Sequence, residues 1–95
     1  MRQITKQAVA NFWNRNNFKL SNTKVITNNN ITAMYLWDNK IAELTATGEL
    51  YFTCAGWNTP TTLERLRGLG LHITKKQGRL FYKGVEFDAY DIIKA

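Results

Sequence analysis

The apolar residues of this chain change their spacing three times. From Ile4 to Trp13 they fall at Ile4, Ala8, Val9, Phe12 and Trp13, the spacing of one helical face. Thr5, Lys6, Gln7, Asn11 and Asn14 are then expected to face water. The asparagine-rich stretch 14–17 is expected to end the helix, with Phe18 and Leu20 folding back over it. From Thr23 apolar residues recur at roughly every second position. KVIT (24–27), ITAMYLW (31–37), KIAELTA (40–46) and ELYFTC (49–54) are separated by Asn28–Asn30, Asp38-Asn39 and Thr47-Gly48. Such dense turn punctuation predicts an antiparallel meander. Leu63, Leu66 and Leu69 then recur at every third position, and Gly68 and Gly70 supply a stop. LHITKK (71–76) and RLFYK (79–83) around Gln77-Gly78 predict another hairpin. Lys83-Gly84 turns the chain into VEF (85–87), and a last turn of helix is expected within residues 88–95.

The predicted order is α-β-β-β-β-α-β-β(-β). That is an α+β fold with helices packed on one face of an antiparallel meander sheet. Ninety-five residues provide for one domain, 1–95. Trp13 and Trp37 belong to apolar stripes and are expected in the core, with Trp57 packed beneath the second helix.

The stretch AGWNTPTTLERL (55–66) reads either as an anion cradle or as a helix start. Thr61-Thr62-Leu63-Glu64 fits a capping box, in which Glu64 reaches back to the cap amide. Thr59 is the competing cap, because it places Pro60 at the first helical position. Glu64 brings negative charge to this end and would repel a phosphate, so a helix start is the expected reading. This stretch, together with MYLWDNKIAEL before it and ITKKQGRLFYKGVEF after it, resembles a recurrent pattern in small proteins of tailed bacteriophages. The resemblance covers roughly residues 31–87. It implies a phage origin and a host-cytoplasm setting, and it carries no activity, ligand or catalytic residue.

Charge adds a direction. The net charge of +6 is segregated: residues 1–37 carry five basic side chains and no acid, and residues 65–83 carry six basic side chains and no acid. The segments between and after them are net acidic. One positive face is therefore expected, opposite a milder one. No run approaches the ~20 apolar residues of a membrane span, and the amphipathic N-terminus is unlike a signal peptide. The single cysteine, Cys54, has no disulfide partner within the chain, which points to a reducing, cytosolic compartment.

Catalytic chemistry finds little footing. Cys54 and His72 are the only cysteine and histidine, short of a zinc site, and a strand-end cysteine is usually a small buried hydrophobe. Asp88 and Asp91 read as solvated terminal residues. No enzyme activity, metal or cofactor is expected. The last hairpin offers more. Alternation places Leu71, Ile73, Leu80 and Tyr82 on one face, and His72, Thr74, Lys76, Arg79, Phe81 and Lys83 on the other. Arg65, Arg67, Lys75, Lys76, Arg79, Phe81 and Lys83 are the candidate nucleic-acid-binding residues, with cations for phosphates and a ring for stacking on a base. Two other partners fit the same composition. An acidic host protein would be steered to the positive face, and a second copy of the chain would meet it through tryptophan and tyrosine contacts.

Overall fold

The computed structural model describes all residues, 1–95. Helix α1 (Gln3–Trp13) leads into strands β1 (Phe18–Leu20), β2 (Thr23–Asn28), β3 (Ile31–Leu36), β4 (Asn39–Leu44) and β5 (Leu50–Phe52). Helix α2 (Pro60–Gly68) is followed by β6 (Ile73–Lys76), β7 (Arg79–Tyr82), β8 (Val85–Phe87) and β9 (Ile93–Lys94). The fold is α+β with an antiparallel meander. Its strands divide between two sheets, one of order β1-β2-β3-β4-β5-β9 and one of order β6-β7-β8. Residues near the C-terminus form β9 on the free edge of β5, where Phe52 pairs with Ile93, rather than a helical turn. Pairing satisfies the backbone groups of that edge.

Tight turns set the register. Asn29-Asn30, Gln77-Gly78 and Lys83-Gly84 each put two consecutive residues at positive φ, as two-residue hairpin loops with right-handed strand twist require. The β3–β4 loop is Trp37-Asp38, with φ of 51° and 64°, one residue earlier than the sequence suggested. The shift takes Trp37 out of the strand and places it on the tip of the hairpin. Between Met34 and Tyr35 the β3–β4 register slips, leaving Ile41 as an extra residue, so that Ile41 and Ala42 are both buried.

A cross-strand row of Val25, Met34, Ala42 and Phe52 forms the inner face of the large sheet. Helix α1 covers β1–β3 and α2 lies against β4. The small sheet closes the remaining end, where Phe52 meets Tyr82 and Phe87 edge-on at 5.0 and 5.9 Å between ring centroids. One buried cluster joins all of these elements. The two helices approach closely at Gly68, where a Cβ would stand 2.8 Å from Thr5 Cγ2 and 3.0 Å from Val9 Cγ2.

Helix α2 starts as the Thr59 alternative has it. Thr59 Oγ1 accepts from the Thr62 amide and Pro60 takes the first helical position. Glu64 is not part of a capping box, because its carboxylate is engaged by Thr5 and Arg65. At the other end, Gly70 at φ +97° lets its N–H reach Arg67 O, while the Leu71 N–H reaches Leu66 O. This is a Schellman stop.

Candidate nucleic-acid interface

The small sheet carries four of the residues singled out in the sequence, Lys75, Lys76, Arg79 and Phe81, and its register sorts them. Ile73 pairs with Tyr82, Thr74 with Phe81, Lys75 with Leu80, and Lys76 with Arg79. On the far side of β7, Phe81 pairs with Glu86 and Leu80 with Phe87. Directly opposed residues share a face. Ile73, Leu80 and Phe87 turn into the core with Tyr82 beside them, so Thr74, Lys76, Arg79, Phe81 and Glu86 form the outer face. Phe81 is half-buried and lies outside the core cluster. Lys76 and Arg79 are exposed neighbours across the hairpin, and Arg79 Nε lies 3.8 Å from Glu86 Oε2.

Arg65, Arg67, Lys75 and Lys83 do not join that outer face. Arg65 is fully buried and does not belong to any surface. Its Nε donates to Thr23 Oγ1 at 3.1 Å, and its Nη1 donates to Thr5 Oγ1 at 2.6 Å and to Glu64 Oε1 at 2.8 Å. A cation inside the fold is tolerated only with such partners, and here it ties α2 to α1 and β2. Arg67 donates from Nε to Ile73 O at 2.9 Å, next to the free edge of β6. Lys75 shares its register face with Leu80, not with Phe81, and its Nζ donates to Asn58 O at 3.1 Å. Lys83 occupies a turn, with Nζ 5.4 Å from the Tyr82 ring centroid. The compact basic-aromatic strip is therefore Lys76, Arg79 and Phe81, with Lys83 at its border.

The tryptophans depart most from expectation. Trp37 is 70% exposed, Trp57 61% and Trp13 45%. Trp57 does not pack beneath α2. The Ala55-Gly56-Trp57 turn runs through positive φ at Ala55 and Gly56, and the Gly56 amide donates to Ala89 O at 3.0 Å. A Cβ on Gly56 would meet the Tyr90 ring at 2.5 Å, so glycine is needed there for both backbone and space. Conversely, Thr5, expected to face water, is fully buried because it serves Arg65 and Glu64. No periodicity argument signals that exchange.

The large sheet's outer face is not covered by a helix. There Lys19, Lys24, Tyr35 and Lys40 follow one another in a cross-strand row over β1–β4. Lys24 Nζ lies 5.2 Å from the Tyr35 ring centroid, within cation–π range. Salt bridges moderate this row, Lys24 with Asp38 at 3.2 Å and Lys40 with Glu43 at 2.7 Å. Cys54 is buried at the floor of a cleft near Trp57, and desolvation pushes its thiol up to about 11. It is a protonated thiol at neutral pH.

The Ala-Gly-Trp turn, the Thr-Thr helix start and the lysine-rich last hairpin are the features by which the chain resembles small bacteriophage proteins. The family profile described as Kyanoviridae Gp96 protein matches residues 1–92, and the chain belongs to that family. No curated protein and no solved structure matches it.

Proposed function

We propose that this protein binds single-stranded nucleic acid with little sequence preference, through the outer face of the small sheet. The observation that carries the reading is that Phe81 lies outside the core, on the same sheet face as Lys76 and Arg79. Lys76 and Arg79 meet successive phosphates and Phe81 stacks on a base, a contact worth about 1–3 kcal/mol in single-strand binders. Both long cations sit on a sheet rather than a loop, which holds their spacing. Since Arg65 is consumed internally, only two or three phosphate contacts remain, so binding falls with salt along a shallow slope.

The test is a gel shift with single- and double-stranded probes at low and moderate salt, using protein freed of copurifying nucleic acid. Single strands are expected to shift at low salt, and Phe81→Ala and the double variant Lys76→Glu/Arg79→Glu to weaken the shift. A wild-type protein that shifts no probe, or a charge-reversed variant that shifts as well as wild type, would remove the reading.

A further inference from the structure

Trp37 and Trp57 border one cleft of about 520 Å³, with Leu36, Ile41 and Cys54 as its apolar lining. That volume falls within the range of about 300–1,000 Å³ typical of small-molecule and cofactor sites. Two features separate it from ordinary surface roughness. Both rings are more than half exposed, although burial would be the favourable state for side chains of this size. Trp37 also holds a left-handed backbone that a bulky residue adopts only at a cost, on a hairpin tip where asparagine or glycine would fit without strain. The fold places an indole there despite local preference.

The polar groups suit a heterocycle. Asn39 donates from Nδ2 to Trp37 O at 3.2 Å, which leaves its Oδ1 open to accept from an imide or amino N–H. Thr59 lies at the same rim, with its hydroxyl held by Thr62 as the cap of α2. Beyond Trp37 the surface continues into a second depression of about 180 Å³, bordered by Lys19, Lys24 and Asp38. Asp38 holds Lys24 at 3.2 Å, and Lys19 has no acidic partner within 4.0 Å. Trp37 thus stands between an aromatic cleft and a depression whose two lysines outnumber its one carboxylate.

We propose that the Trp37–Trp57 cleft holds one base of a single-stranded nucleic acid, with Lys19 and Lys24 meeting the adjoining phosphate. This inference shares its partner class with the reading above and uses a different surface. Stacking supplies affinity without choosing a sequence, because every base has a π-face. The lysines fix which side of the indole the backbone follows.

The test compares fluorescence-anisotropy titrations of a short labelled oligothymidylate with those of an abasic strand of the same length. Wild type is expected to prefer the base-bearing strand by about tenfold. Because Phe81 also stacks on a base, the variants are read in a Phe81→Ala background, where Trp37→Asn, chosen because asparagine accepts the left-handed turn, and Trp57→Ala are each expected to erase most of the remaining preference. Neither should change affinity for the abasic strand. Lys76→Glu/Arg79→Glu is expected to weaken both strands alike, so the two surfaces are read separately. Equal wild-type affinity for the two strands overturns the proposal. So do tryptophan variants with wild-type circular dichroism and unchanged oligothymidylate affinity. Failure of both strands to bind, with a host protein that copurifies and is lost on Trp57→Ala, assigns the cleft to a protein partner instead.

Discussion

Arg65 and Thr5 are sixty positions apart and joined inside the core, where Arg65 Nη1 donates to Thr5 Oγ1 at 2.6 Å. Thr5 in turn donates to Glu64 Oε1, and Thr23, which accepts from Arg65 Nε, donates to Asn22 Oδ1. Every buried polar side-chain atom has a partner. This network holds α1, α2 and β2 together, so Arg65, one of the two arginines of α2, acts as a structural element.

Arg65→Ala removes the donor, and it also leaves a cavity in the core. Destabilisation of about 3–5 kcal/mol is expected, read as a lower urea midpoint with an unchanged slope. Arg67→Ala, whose side chain is exposed and bonds a strand-edge carbonyl, is expected to cost about 1 kcal/mol. Equal effects of the two would contradict the assignment of Arg65 to the interior.

Acid is expected to loosen the same network. The hydrogen bond from Thr5, followed by the charges of Arg65 and Arg2, holds the Glu64 carboxyl below the usual carboxylate range. A depressed folded-state value means that the stabilisation is complete above the unfolded-state value of about 4.3. It is lost as pH falls through the lower folded-state value. Urea midpoints measured from pH 6 down to pH 3 should fall less steeply in Glu64→Gln than in wild type.

Gly56→Ala probes the turn that gives the chain its Ala-Gly-Trp signature. At φ +84°, with Tyr90 against the missing Cβ, alanine is expected to cost about 1–2 kcal/mol. For a domain of this size that lowers the thermal midpoint by roughly 4–8 °C per kcal/mol. An unchanged midpoint would show that the Tyr90 contact and the left-handed backbone are not required.

Cys54 gives a direct report on burial. Its thiol, pushed up to about 11 by desolvation, should resist a disulfide reagent at pH 8 in the native protein and react at once in urea. Rapid native reaction would mean that the cleft above it opens to the solvent.

Much of this architecture is legible in residue order. The helix over α1, the Gln77-Gly78 and Lys83-Gly84 turns, and the alternation that puts Phe81 beside Arg79 all follow from local rules. What local rules miss is tertiary. Arg65 reads as a surface cation until Thr5, Thr23 and Glu64 are brought around it, and Thr5 reads as solvated for the same reason. Trp37 continues an apolar stripe, so it reads as strand, and only the hairpin register reveals a loop one residue earlier. The terminal strand β9 depends on a free edge at β5, which is a property of the assembled sheet. The Trp37–Trp57 cleft combines two segments that are twenty residues apart, and no periodicity connects them.

The most direct measurement is the salt dependence of oligothymidylate binding by wild type and by Lys76→Glu/Arg79→Glu. With two or three phosphates neutralised at the small sheet, the slope of log K against log salt is expected near −1.4 to −2.1, at about −0.7 per contact. Charge reversal should flatten it and weaken binding. A wild-type affinity insensitive to salt, or the same slope and affinity in both proteins, would contradict a polyanion-binding face built on Lys76, Arg79 and Phe81.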